Sequence, residues 1–371
     1  MIIGAQGFTI RDYAQNEADF RETAKKLHDI GYKTLQVSAF GDIDPHIIRE
    51  ICDENELSII EYGFENDLMQ PMPSAARSDK KIAVIGSGPA GLSAAYYLNR
   101  RGHHVTVFEK DPLPGGLLTY GIPEMKLPKQ IVARRISLMK REGIGFRTSC
   151  CVGKQIGPEE LAAQFDLVIF CCGAQQPRPL PFAETAGVFY ALDYLRASAQ
   201  SLLEKTEPAV TASGKQVVLV GAGDSASDCI SVALRQGCRS ITQLIRKPRT
   251  ERTEKRDHAH EEAEAVFGAD IRRYETQIER LVCGDDGSVN AVILQGSGEK
   301  LPCDLLLLAS GFSGCEPASV DAYEAVRKTG VPALTAGDMA SGVSLVVLAI
   351  ASGKQAAAQA DASLMGYTNI L

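Results

Sequence analysis

Two stretches of this sequence, Gly86-Ser87-Gly88-Pro89-Ala90-Gly91 and Gly221-Ala222-Gly223-Asp224-Ser225-Ala226, carry the spacing G-x-G-x-x-G/A. That spacing serves phosphate binding when a strand runs in and a helix runs out. The first glycine makes a tight turn, the second lets backbone approach a pyrophosphate, and the third lets the helix pack close. Both contexts are met. The apolar run 81–85 leads into the first loop and residues 92–101 read as its helix; 216–220 and 227–236 do the same for the second. The N-H groups and positive dipole end of each helix then face the phosphates. Ala226 replaces the third glycine of the second loop, at some cost in closeness between helix and strand.

Other residues extend these two sites. A strand at 104–108 ends at Glu109, about 20 residues beyond the first loop, where a carboxylate accepts from a ribose diol. The matching strand at 240–245 opens instead onto Arg246-Lys247-Pro248-Arg249-Thr250-Glu251-Arg252. Cations there pair with a 2'-phosphate, so the nucleotide reads as NADPH rather than NADH; a solvated basic loop is the alternative. The segment from Gly115 to Pro123 either lies against a flat ring or is a structural loop. A strand at 166–170 ends in Cys171-Cys172-Gly173-Ala174. Asp338, ahead of the helical run from Ser344, can accept from a ribityl hydroxyl while N-H groups face a phosphate or a flavin carbonyl, or it is a plain N-cap.

Those sites need elements to hold them, and the chain is long enough. At 371 residues it is worth two to three domains of roughly 150 residues each. With 45% hydrophobic and 23% charged residues and a net charge of -7, it is neither disordered nor basic enough for nucleic acid or anionic membrane as main partner. No stretch approaches the ~20 apolar residues of a membrane span, and the first residues lack a signal-peptide pattern, so a cytoplasmic location is expected. The ten cysteines include no C-x-x-C, which argues against a zinc ribbon, a thioredoxin-like pair or a ferredoxin-type run. The pairs Cys150-Cys151 and Cys171-Cys172 read as strand residues pointing to opposite faces, as buried small hydrophobes. Residues 1–65 read as strand (2–10), helix (17–30), strand (34–39), helix (44–54) and strand (57–62), and 66–79 as a linker.

From Lys80 to about Gly366 the chain resembles the small (beta) subunit of glutamate synthase and the FAD/NADPH half of dihydropyrimidine dehydrogenase. The stretches that carry the resemblance are 84–91, 115–123, Gly221 to Cys229, and Gly337-Asp338 with Ser344-Leu345-Val346-Val347. It implies an α/β fold: an FAD-binding Rossmann-like domain (80–187 and 311–371) with an inserted NAD(P)-binding Rossmann-like domain (188–310). It implies FAD on Gly86, Ser87, Gly88, Pro89, Ala90, Glu109, Lys110, Gly116, Leu117, Lys126, Val152, Gly173, Gly337, Asp338, Ser344 and Leu345. NADPH is implied on Gly221, Ala222, Gly223, Asp224, Ser225, Arg246, Lys247 and Arg252. Lys126 stands where the family usually carries arginine near the flavin, which keeps the charge without the bidentate geometry. Hydride transfer in such enzymes needs no acid-base residue and no metal, only nicotinamide C4 about 3 to 3.5 Å from flavin N5.

The chain also departs from that family. Residues 1–65 stand where the family has a helical domain whose cysteines hold iron-sulfur clusters, and they resemble the opening of a sugar-phosphate isomerase/epimerase TIM barrel. A whole barrel takes about 250 residues, so isomerase activity is not expected. The segment 315–329 is shorter than the strand pair the family places there. His258 and His260 read as a solvated surface of the NADPH domain rather than metal ligands. The leading expectation is an NADPH-dependent flavin oxidoreductase passing electrons to an external acceptor, a protein or a small molecule, in a homo- or hetero-oligomer. The competing one is a catalytically silent nucleotide-binding or assembly subunit arising from gene fusion.

Overall fold

The computed structural model describes residues 4–6, 10–37, 40–62, 78–250 and 257–370. The chain divides into two compact units, Met1–Pro71 and Met72–Leu371.

The first unit alternates β1 (Gly4–Gln6), α1 (Glu17–Ile30), β2 (Thr34–Val37), α2 (Pro45–Glu54) and β3 (Ser58–Tyr62). The strands form a parallel sheet in the order β1-β2-β3. Asn16 caps α1 by accepting from the Asp19 N-H, and Gly31 ends it in the left-handed region, so the helix runs where its apolar spacing predicts. It buries Phe20, Ala24 and Leu27 against Ile48, Ile51 and Cys52 of α2. Of the first strand, expected over 2–10, Gly4–Gln6 is in place and Ile10 is already helical; residues 2, 3 and 7–9 lie outside the described residues, as do 38 and 39.

The second unit runs β4 (Lys81–Ile85), α3 (Pro89–Arg100), β5 (His104–Phe108), α4 (Leu117–Tyr120), α5 (Lys129–Arg141), β6 (Gly145–Arg147), α6 (Pro158–Gln164), β7 (Leu167–Phe170) and β8 (Gln176–Pro177). Then follow β9 (Val188–Tyr190), α7 (Ala191–Glu204), β10 (Gln216–Val220), α8 (Asp224–Arg235), β11 (Ser240–Ile245), α9 (His258–Phe267), β12 (Arg272–Tyr274), β13 (Ile278–Cys283), β14 (Val289–Leu294), β15 (Lys300–Pro302) and β16 (Leu305–Leu308). The chain closes with β17 (Phe312–Gly314), α10 (Pro317–Lys328), β18 (Ala333–Thr335), α11 (Asp338–Ser341) and α12 (Val346–Met365).

Two parallel sheets dominate, β18-β7-β4-β5-β6 and β12-β11-β10-β16-β9. Each first-loop or second-loop strand, β4 or β10, sits in the middle of its sheet, the position from which a doubly wound fold presents ligand loops. Their strands are buried on both faces. Ile82, Val84, Val105, Val107 and Ile169 pack on one side of the first sheet, while Ala83, Ile85, Phe108 and Phe170 pack on the other. The antiparallel sheet β13-β14-β15 covers one face of the second sheet through Val292, Leu294 and Leu301. Where the chain crosses from the first sheet's lobe to the second and back, β8 and β17 pair antiparallel.

Of the linker expected at 66–79, Ser78 and Asp79 are described and 66–77 lie outside the described residues. The segment after β17 is not a shortened strand pair. Residues Pro317–Lys328 form a helix, with proline in its first turn and Tyr323 edge-on to Phe170 at 5.5 Å. Cys150 and Cys151 are not in a strand either; they lie in the turn after β6.

Candidate dinucleotide sites

Both glycine loops are built alike. Gly86 has φ +97, and a Cβ there would collide with the Cys171 carbonyl; Gly221 has φ +127, and a Cβ would collide with the Ala309 carbonyl. Only glycine turns the chain at those points. Gly88 caps α3 and Gly223 caps α8, neither with a side-chain hydrogen bond to the helix's first N-H groups. A Cβ on Gly88 or on Gly223 would meet nothing within 4 Å. Each helix therefore presents unclaimed N-H groups and its positive end to open space, which suits a phosphate.

The loops differ in their surroundings. Gly86 to Ala90 are buried or half-buried, whereas Ala222 to Ser225 are exposed. The first loop borders a cavity of about 380 Å³, walled also by Glu109, Lys110, Gly116, Leu117, Val152, Gly173, Gly337, Asp338 and Ser344. The structure thus gathers fourteen of the sixteen positions expected to hold FAD. Leu345 is 62% exposed and Lys126 also lies off the cavity wall.

Within the cavity wall, Glu109 is buried and its Oε2 accepts from the Ser87 N-H at 3.0 Å and the Ser87 hydroxyl at 2.5 Å; Oε1 accepts from Asp111 N-H at 2.9 Å. Ser87 Oγ in turn accepts from Gly115 N-H at 2.8 Å. The first loop, the ribose carboxylate and the glycine-rich 115–123 segment are so tied together, with one lone-pair direction of Glu109 left for a diol. Gly116 packs on the first loop: a Cβ on it would lie 2.9 Å from Gly88 Cα. Asp338 accepts from Ser344 Oγ at 2.7 Å, and Lys110 pairs with Glu316 at 2.7 Å.

Lys126 is engaged elsewhere. Its Nζ lies 2.5 Å from Asp228 Oδ1, so the loop after the 115–123 segment is joined to the helix of the second phosphate loop. Burial pushes the Asp228 carboxyl above the ordinary carboxylate range, against the pull of Lys126. Nearby, the buried Lys129 ammonium donates to the carbonyls of Leu118 and Ile122, and burial lowers its pKa. A bidentate pair, Arg196 with Asp111 at 2.8 and 3.1 Å, ties α7 to the end of β5. These long-range pairs have no local signal in the sequence.

Cys150, Cys151, Cys171 and Cys172 all line the cavity, and sequence reasoning missed that role. Cys171 and Cys172 do point to opposite faces, but Cys150, Cys151 and Cys172 are only half-buried. Burial pushes the Cys172 thiol up to about 12. All ten thiols are free. Alkylation followed by mass spectrometry should modify exposed Cys283 first. Cys151 should react next and be shielded once FAD is added; equal labelling with and without FAD would count against the cavity as its site.

At the second site Arg246 and Lys247 stand exposed just past β11, where Glu109 stands past β5. Arg252 lies outside the described residues. His258 is on the surface as expected, its side chain 83% exposed, but His260 is not: its side chain is 10% exposed and packs inward. Among the described residues no three His, Cys, Asp or Glu side chains gather as metal ligands, and no helix is long and apolar enough to cross a membrane.

The chain belongs to the pyridine nucleotide-disulphide oxidoreductases, whose sequence profile matches residues 80–353. Within that family it is a flavin oxidoreductase of the glutamate synthase small-chain type. It is 38% identical over 360 residues to the glutamate synthase [NADPH] small chain of Bacillus subtilis, covering 84% of this chain and 73% of that one. With the glutamate synthase [NADPH] small chain of Mycobacterium tuberculosis it shares 37% over 372 residues, covering 87% and 74%. Among solved structures, FprA of M. tuberculosis superposes with a TM-score of 0.59 at 18% identity, covering 78% of this chain and 85% of that one, which is a likeness of fold.

Proposed function

We propose that the second unit carries FAD in the cavity beside the first loop and takes NADPH on the exposed second loop, drawing a hydride from NADPH and sending electrons to an acceptor protein. The observation that carries this is the contrast between two otherwise equivalent helix starts. One is walled in, as a resident cofactor needs, and the other is exposed, as a nucleotide that arrives and leaves needs. Bound FAD would supply an isoalloxazine ring able to accept a hydride and pass its electrons on. The chain's own part is placement. Gly88 and Gly223 clear room for pyrophosphates, Glu109 takes a ribose, and Arg246 and Lys247 attract the extra phosphate of NADPH. The Lys126–Asp228 and Arg196–Asp111 pairs hold the two sites in register.

A protein acceptor fits the rim of the cavity. Val343, Leu345, Val347 and Leu348 are exposed beside Ser344 and Val346 of its wall, an apolar patch suited to a partner surface. The sequence carries no C-x-x-C pair of the thioredoxin type to take the electrons.

The protein reconstituted with FAD should be yellow and should bleach when NADPH is added without oxygen. Changing Arg246 and Lys247 together to alanine should raise the KM for NADPH roughly tenfold or more and leave that for NADH near its starting value. A colourless protein would sink the FAD assignment, and equal effects on both nucleotides would sink the 2'-phosphate assignment.

A further inference from the structure

Gln243 lies in the middle of β11 with 1% of its surface exposed, in a strand whose buried neighbours are apolar. Burying an amide there is costly unless every polar atom is engaged. Its Nε2 donates to the carbonyl of Gly221, the first glycine of the second phosphate loop, at 2.8 Å. A carbonyl only accepts, so the amide's orientation is fixed and Oε1 faces away from the loop. That oxygen meets His260 Nε2 at 2.8 Å. On the ring's other side Asp257 Oδ1 lies 2.7 Å from Nδ1, and Asp257 is the N-cap of α9. The Gly221 carbonyl, Gln243 and the His260 ring are thus linked by side-chain hydrogen bonds, and Asp257 joins this strut through its cap bond, Oδ1 accepting from the His260 backbone N-H at 3.2 Å.

The first loop has no such strut, and the two sequences explain why. There the third glycine is present, and a Cβ on Gly91 would collide with the Gly86 carbonyl, so helix and loop close directly on each other. The second loop has Ala226 at the same place, whose methyl group occupies that space. At this loop the first carbonyl receives a side-chain donor, Gln243. On β5, the residue one before the carbonyl that receives the Gly86 N-H is Val107, fully apolar and buried. On β11, the residue one before the carbonyl that receives the Gly221 N-H is Gln243.

We infer that Gln243 and His260 are positioning residues for the NADPH site, fixing the second phosphate loop and the start of the basic segment to one another. This rests on the assignment of NADPH to that loop. The basic segment leaves β11 at Arg246, three residues after Gln243, and returns to described structure at Asp257, the strut's far end. The strand that carries Arg246 and Lys247 is therefore held, three residues before them, to the carbonyl that opens the phosphate loop.

The test uses the FAD-loaded full chain and compares His260→Leu, His260→Gln and Gln243→Leu. Leucine removes both ring nitrogens at similar size, whereas glutamine keeps a donor able to reach Gln243 Oε1. His260→Leu and Gln243→Leu are expected to raise the NADPH KM by about tenfold, with the limiting rate of anaerobic flavin bleaching within about twofold of wild type. His260→Gln should restore most of the loss. Melting temperatures identify a variant that fails to fold, and if Gln243→Leu does, the His260 pair decides the matter. An unchanged KM in His260→Leu, or a His260→Gln variant as impaired as the leucine one, overturns the strut. Wild-type protein that holds FAD yet binds no NADPH overturns instead the assignment beneath it.

Discussion

Replacing Gly88 with valine is expected to give a folded protein that no longer binds FAD, and replacing Gly223 with valine a yellow protein that NADPH no longer bleaches. Both glycines have ordinary backbone angles, φ -64 and φ -100, so a β-branched residue strains neither. Both would direct a Cβ into space where nothing beyond the adjoining residues lies within 4 Å. The added methyl groups therefore cost the fold little, yet they stand over the first N-H groups of α3 and α8, where a phosphate has to come within hydrogen-bonding range. A loss of about 100-fold in affinity, or ~2.7 kcal/mol, is expected for the nucleotide concerned and not for the other. Gly91→Val is the contrast: its side chain would run into the Gly86 carbonyl, so fold and cofactor should be lost together. Fluorescence titration with FAD, anaerobic titration with NADPH and thermal melting separate the outcomes. A Gly88→Val protein with wild-type FAD affinity would show that the phosphates lie elsewhere.

The sequence was most legible where local rules act alone. The strands 81–85, 104–108, 216–220 and 240–245 fall where their short apolar runs place them, and α1 runs from its capping Asn16 to its terminating Gly31. The cavity wall was legible for the same reason, because the glycine loops carry their geometry in their own spacing. What escaped was set by partners far along the chain. Lys126, expected beside the flavin, meets a carboxylate about one hundred residues on, at Asp228, and nothing near it signals that. His260 reads as a surface residue from its polar helix, but Gln243 on a neighbouring strand draws it inward. The segment 317–328 forms a helix behind Pro317, which its length relative to the family's strand pair does not signal. Cys150 and Cys151 follow a strand that ends at Arg147 after three residues, and their apolar sequence reads as its continuation.

Asp361 should prove the costliest single carboxylate to remove from the second unit. It is fully buried on α12, where Oδ1 meets His103 Nε2 at 2.8 Å and Oδ2 accepts from Arg101 Nε at 2.8 Å. His103, equally buried, reaches on through Nδ1 to Ser78 Oγ at 2.7 Å, so the cluster fastens the segment entering β4 to the last helix. Asp361→Ala leaves these partners without their acceptor and should cost about 3 to 5 kcal/mol. Burial pushes the Asp361 carboxyl up, but hydrogen bonds from Thr368, His103 and Arg101 outweigh it and hold the group below the ordinary carboxylate range. A carboxyl depressed in the folded state stabilises above its unfolded pKa, and that contribution is lost as pH falls through the folded one. The gap between wild type and Asp361→Ala in urea unfolding should therefore be widest near pH 7 and begin to narrow below about pH 4. A gap of constant size down to pH 3 would mean that the cluster acts by packing, and that the charge on Asp361 contributes nothing to it.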